Sequence, residues 1–160
     1  MQKEHSIEEL KEKYKKLQTK YNLSEFTELN KLFDIEEIDP ETEFLLKKIR
    51  GAISEKIIGY LRFIDIILNP SNAPIFFFRL VKKLNGTDRD SLTKIYEKLE
   101  KFEIRAIALD IEYSEKDESE FIKDILKAFD RELKKDFLTI IEKLKSEEES
   151  SKKINGSYFG

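Results

Sequence analysis

The sequence contains no cysteine, no tryptophan, one methionine and one histidine. Without cysteine the chain forms no disulfide, thiolate metal site or cysteine nucleophile, and a reducing cytoplasm is the expected compartment. The histidine, His5, lies near the amino terminus, where we expect a frayed chain end. Neither a Ser-His-Asp triad nor the Glu-x-x-His pattern of di-iron bundles is therefore expected. These absences favour a protein without catalytic activity.

Glycine and proline are scarce, at five and three residues in 160. Hydrophobic and charged residues each make up 39% of the chain, a balance typical of long helices with charged outer faces. The length corresponds to one domain with a substantial core. We therefore predict an all-α, single-domain antiparallel bundle of about five to six helices. The richness in Lys and Glu also fits a thermophilic protein.

Long apolar runs and an excess of one charge are also missing. Arg62 and Asp65 interrupt the most apolar region, and Met1–His5 lacks the apolar core of a signal peptide. We therefore expect a cytoplasmic protein that does not enter a membrane. The net charge is −3, with both signs interspersed, which differs from the basic surface of a nucleic-acid-binding protein.

Hydrophobic periodicity and capping residues divide the chain into helices. Ser6 to Glu9 form a capping box, Asp39-Pro40-Glu41 is a typical helix start, and Asn85-Gly86 is a typical helix end. Phe102 to Ala106 alternate like a strand but lie within a helical pattern, so we predict helix there. The prediction is a bundle domain over 1–145, with helices at 6–21, 24–33, 39–68, 74–85, 88–113 and 114–145, and a polar flexible tail over 146–160.

The segment Asn69–Gly86 forms a predicted corner between two helices and carries four consecutive bulky apolar residues, Ile75 to Phe78. At about 100° per residue they point almost all the way round the helix axis. Ile75 and Phe78 fall opposite the predicted core stripe, beside Arg79 and Lys82. Two other apolar residues, Ile58 and Ile66, also fall off their core face. Two interpretations remain open: other helices of the chain cover this corner, or it contacts a partner.

Charged residues interrupt the predicted core stripes of three helices. Glu103 and Asp110 fall within one stripe, Glu132 and Asp136 within another, and Lys56 within a third. A buried charge needs a partner, so we expect ion pairs there, for example Lys56 with Glu103. The alternative is an Mg²⁺ or Mn²⁺ site, in which the four carboxylates bind the ion and the ion holds a phosphorylated substrate between helices.

Two short segments, Lys11–Lys16 and Arg79–Lys83, are locally basic and contain or adjoin aromatic residues. This combination occurs in nucleic-acid-binding proteins. A glutamate interrupts the first segment, so a solvated helix face is the preferred interpretation, and we expect no nucleic-acid partner.

Three functional hypotheses follow. The first is a non-catalytic helical protein–protein interaction or assembly protein that needs no cofactor. It binds a partner or a second copy through Ile58, Ile66, Ile75, Phe78, Arg79 and Lys82. Its amino-terminal helix is a second candidate surface. The second is a divalent-metal-dependent phosphate-ester or nucleotide hydrolase using Glu103, Asp110, Glu132 and Asp136. The third is a nucleic-acid accessory factor.

Overall fold

The computed structural model describes the backbone of residues 2–157 and the side chains of 6–71 and 73–145. A π-helix, Phe129–Leu133, joins the last two α-helices, and two 3₁₀ turns lie at Ile35–Glu37 and Pro70–Asn72. No strand occurs in this part of the chain, and the predicted all-α helical fold is confirmed. The α-helices are α1 (Gln2–Tyr21), α2 (Phe26–Phe33), α3 (Leu45–Leu68), α4 (Ile75–Val81), α5 (Gly86–Ile111), α6 (Glu115–Ala128) and α7 (Lys134–Ser157).

The helices pack into two compact units. The first consists of Met1–Gly59 and Lys101–Ala128, and the second of Tyr60–Glu100 and Phe129–Gly160. Helices α3 and α5 contribute residues to both. Among the described helices, none combines the length and the apolar character that a membrane span requires.

The core of the first unit is built by apolar stripes of α3, α5 and α6. Arg50 contacts Asp110 and Ser54 contacts Glu103, so α3 and α5 run antiparallel here. On α6 the buried residues recur at helical spacing, so one face of this helix points into the core. The fully buried side chains of α3 and α6 in this unit include Ile49, Ile53, Ile57, Phe121, Ile122 and Ile125.

Helix α1 packs on its own unit. Leu10 and Tyr14 are buried, and the Tyr14 hydroxyl donates to the Ser24 carbonyl at 2.7 Å. At the other end of the helix, Lys20 Nζ and the Tyr21 hydroxyl donate to Glu115 Oε1 at 2.8 and 2.5 Å. The centre of the amino-terminal seam is thus covered by this chain itself, which removes it as a surface for a partner.

In the second unit, α5 packs against the π-helix and α7. Asp88 contacts Lys143, and Lys98 contacts Glu132, so the chain directions are antiparallel. Aromatic rings add to this core, with the Tyr60 ring 5.3 Å from that of Phe137. Buried apolar residues from both sides fill the space, among them Leu92, Ile95, Leu99, Leu133, Ile140 and Leu144.

Local hydrogen bonds explain why two helix boundaries differ from the predictions. Asp39 Oδ1 accepts from the Glu41 amide at 2.9 Å, which holds a turn, and α3 begins only at Leu45. Asn85 and Asp88 each accept a hydrogen bond from the other's backbone amide, a reciprocal cap that starts α5 at Gly86.

The predicted flexible tail, 146–160, coincides with the end of α7. The helix continues through Ser157. The side chains of 146–157, like that of His5, lie outside the part of the chain that the structure describes, and so do residues 158–160.

Candidate functional site

Helix α4 carries the apolar residues that the sequence places off the core face. Pro74 precedes it in an extended conformation, with φ −54° and ψ 150°, and cannot itself be a helix-interior residue because it lacks an amide hydrogen. The sequence predicts a core stripe of Phe77, Leu80, Val81 and Leu84. The last three are buried, whereas Phe77 is half-buried. The helix is therefore anchored to the second unit by its carboxy-terminal side.

Three apolar side chains of α4 are exposed. Ile75 is 77% exposed, Phe76 55% and Phe78 40%, and Phe77 is half-buried with its ring 5.1 Å from that of Phe76. No helix of the described chain covers this surface, which decides against the covered-corner interpretation. We call Ile75, Phe76 and Phe78 the α4 patch.

The other partner-binding candidates divide between the two units. Arg79 and Lys82 are exposed beside the α4 patch, and Ile66 is half-buried in the same unit. Ile58 is half-buried in the first unit, where it lines a cavity. The α4 patch with Arg79 and Lys82 thus forms one surface, to which Phe76 is an addition.

The first unit contains a cavity of about 1020 Å³ between the 33–44 segment, α3 and α5. Phe33, Ile38 and Phe44 contribute apolar lining, and four basic residues contribute charge. Six acidic residues also line it: Asp34, Glu37, Asp39, Glu55, Glu103 and Asp110. Opposite charges are paired on the lining of the cavity, where Lys56 Nζ lies 2.6 Å from Asp34 Oδ2. From the sequence we expected Lys56 to pair with Glu103. In the structure it pairs with Asp34 instead.

At one side of this cavity, Arg50 joins two carboxylates. Its Nε donates to Glu118 Oε2 at 2.6 Å, and one terminal nitrogen donates to Asp110 Oδ1 at 2.7 Å. Arg50 and Glu118 are buried, whereas the Asp110 side chain is 60% exposed. Glu118 Oε1 is buried and has no hydrogen-bond partner among the described residues.

Burial and ion pairing move the pKa values of this trio in different directions. Burial raises the pKa of Glu118, and the hydrogen bond from Arg50 offsets this only in part. Burial by itself lowers the pKa of Arg50, but its hydrogen bonds to Glu118 and Asp110 outweigh that effect and raise it. The hydrogen bond from Arg50 lowers the pKa of Asp110. The guanidinium thus holds its charge, while burial makes the ionised form of Glu118 less favourable than it is in water.

The four carboxylates of the metal hypothesis occupy different surroundings. Glu103 is half-buried and accepts from the Ser54 hydroxyl at 3.0 Å, and Glu132 is exposed and paired with Lys98. Asp110 and Asp136 are exposed. The prediction that all four point into the core is therefore wrong for Asp110, Glu132 and Asp136. Within the described residues no group of three or more His, Cys, Asp or Glu side chains is placed to hold a metal ion.

Arg50 and Glu118 are an inward-facing pair that was not among the residues predicted from the sequence. Arg50 lies four residues after Leu46 and three before Ile53, and Glu118 lies three residues before Phe121. The helical period therefore predicts that both side chains face the core. Arg50 was missed because apolar residues surround it in the stripe of α3.

Comparison with known protein families, with curated proteins and with solved structures gives no match. Function must therefore be argued from the surfaces themselves.

Proposed function

We propose that this chain is a non-catalytic interaction or assembly protein that binds a protein partner through the α4 patch. The single observation that carries this proposal is the exposure of Ile75, Phe76 and Phe78 on one seven-residue helix. Exposed apolar clusters with a polar rim are typical of protein-binding surfaces, and aromatic residues dominate the energy of such contacts.

The rim indicates what kind of surface would bind. Arg79 and Lys82 are exposed beside the patch, so a complementary partner presents apolar side chains bordered by carboxylates. Burying the three side chains would remove a large apolar area from water, worth roughly 1.5–3 kcal/mol for each fully buried residue. The partner is either another protein or a second copy of this chain.

A triple variant, Ile75→Ser, Phe76→Ser and Phe78→Ser, tests the proposal. Immobilised wild type should retain one or more proteins from a lysate of the source cells, and the triple variant should not, because the apolar contact is lost. Leu138→Ser is the matched control, since Leu138 is 51% exposed in the same unit. Circular dichroism should show equal helicity for all three chains. Equal retention by the wild type and the triple variant, at equal helicity, contradicts the proposal.

Two further measurements define the occupant. Light scattering of the wild type and Phe78→Ser shows whether the patch binds a second copy, which would appear as a shift towards monomer. Arg79→Glu with Lys82→Glu should release an acidic-rimmed partner, and retention by this variant at unchanged level would exclude a charged rim.

A further inference from the structure

Helix α5 has a second apolar face that points away from the core of the first unit. Ile104, Ile107 and Ile111 are 60%, 54% and 83% exposed, and Ala108 is also exposed. Their spacing of three, four and seven residues places them within about 100° of one another on the helix. On the opposite side Ala106 and Leu109 are buried. We call Ile104, Ile107, Ala108 and Ile111 the α5 stripe.

The α5 stripe is self-complementary when two copies of the helix run antiparallel. A two-fold axis passing between Ile107 and Ala108 places Ile104 of one copy against Ile111 of the other. The same axis places Ile107 against Ala108, so that a large side chain meets a small one at the centre. This alternation suits the close approach of two helices.

The flanking charges have the same symmetry. Lys101 on α5 and Glu112, the residue that follows the last one of α5, are both exposed. The Glu112 amide still donates to the Ala108 carbonyl at 3.0 Å, so the helical period places the two residues on the same side of the stripe, within about 20° of each other around the helix. In an antiparallel pair, each flank faces the same flank of the other copy. The axis therefore brings Lys101 within about 3 Å, along the helix direction, of Glu112 in the second copy. Each dimer would hold two such ion pairs.

We propose that the α5 stripe binds the α5 stripe of a second copy, antiparallel, with Lys101 facing Glu112 across the two-fold axis. The charge order favours this occupant, because another copy supplies both the apolar surface and the opposite charges at the required positions. The surface differs from the α4 patch, and the inference does not depend on the proposed function. Two helical turns fall short of the ~800 Å² per partner that a standard interface buries, so the dimer should be weak and concentration-dependent.

A charge-swap cycle tests the orientation. Sedimentation equilibrium should show that Lys101→Glu and Glu112→Lys each weaken the dimer by about tenfold, because two attractive pairs become repulsive. The double variant Lys101→Glu with Glu112→Lys should recover the wild-type constant. Failure of the double variant to recover, while the single variants weaken the dimer, would overturn the antiparallel pairing.

Introduced cysteines provide an independent readout, because the chain has none of its own. A mixture of Ile104→Cys and Ile111→Cys chains should form a mixed disulfide under mild oxidation, faster than either chain with itself. Glu120→Cys, at an exposed position on α6, controls for random collision. Faster linkage of Ile104→Cys with itself would indicate parallel helices and overturn the proposal.

Ile107→Glu separates this proposal from the proposed function. It should make the protein monomeric at every concentration with unchanged helicity, while the triple serine variant of the α4 patch should leave the α5 dimer intact. A wild type that stays monomeric throughout, or an Ile107→Glu variant that still dimerises, overturns the inference. Loss of the dimer in the triple serine variant alone would assign self-association to α4 instead.

Discussion

The guanidinium of Arg50 and the carboxylate of Glu118 lie 2.6 Å apart and are both buried in the first unit. The two residues are separated by 68 positions in the sequence, so the contact joins α3 to α6. A buried ion pair is costly to form, because both charges lose their contact with water. Removing one residue of the pair by mutation is more costly, because the other residue is then a buried charge without a partner.

Removing one member of this pair should destabilise the protein strongly. Arg50→Met is expected to lower the free energy of unfolding by about 3–5 kcal/mol, because Glu118 then stays buried beside no cation. Replacing both, as Arg50→Met with Glu118→Leu, should restore most of the loss. Urea unfolding of the two single variants and the double variant measures the coupling.

The surface pair of Lys20 and Glu115 provides the control for this cycle. The Lys20 and Glu115 side chains are 61% and 36% exposed, and removal of a surface pair is expected to change stability by less than about 1 kcal/mol. If Arg50→Met were no more destabilising than Lys20→Met, the buried pair would have no structural role.

The pKa of Asp88 predicts a loss of stability in acid. The hydrogen bond from Lys143 lowers its pKa below the ordinary 3.8, so Asp88 stabilises the fold when ionised. This contribution is complete above the unfolded pKa and disappears as the pH falls through the lowered value. Asp88→Asn should flatten this part of the pH profile in urea titrations, and Glu120→Gln, at an exposed site, should not.

Glu118 should act in the opposite direction. Its pKa is raised above the ordinary 4.5, so the folded protein binds this proton more tightly than the unfolded chain. Its contribution is therefore favourable below that value and is lost as the pH rises through the raised pKa. A profile in which Glu118→Gln destabilises the protein more at neutral pH than in acid would disagree with this assignment.

Neighbouring residues of α4 should differ sharply in their effect on stability. Leu80 is 9% exposed, whereas Phe78 is 40% exposed. Leu80→Ala is expected to cost about 2–3 kcal/mol through the cavity that it leaves, and Phe78→Ser less than about 1 kcal/mol. Thermal melts followed at 222 nm measure both. A large loss in Phe78→Ser would show that its ring belongs to the core.

Divalent cations should not stabilise the protein through the predicted carboxylates. Ser54 and Arg50 already bind Glu103 and Asp110, so we expect Mg²⁺ and Mn²⁺ to leave the melting temperature unchanged. Glu103→Gln with Asp110→Asn is the matched variant. A cation-dependent rise in the wild type that this variant lacks would revive the hydrolase hypothesis, because a bound ligand stabilises the folded state.

The carboxylates that were predicted to point inward show where an argument from helical periodicity fails. Along α5 the buried direction turns by about 40° between the residues Leu92, Ile95 and Leu99 and the residues Ala106 and Leu109. One stripe fitted to the whole helix therefore places Asp110 inward, although it is exposed. Fitting one buried direction to the whole helix also leaves the α5 stripe unnoticed. Its isoleucines are apolar, so they do not stand out as exceptions to a core pattern in the way that a charged residue does.

The sequence by itself determined the helical class, the approximate helix positions and the separation of Leu80, Val81 and Leu84 from Ile75 and Phe78, because these follow from local spacing and composition. Only the tertiary structure decided that α4 is uncovered, that α1 packs on its own unit, and that Arg50 meets Glu118. Each of these depends on contacts between residues far apart in the chain, and the energy of such contacts leaves no trace in the spacing of neighbouring residues.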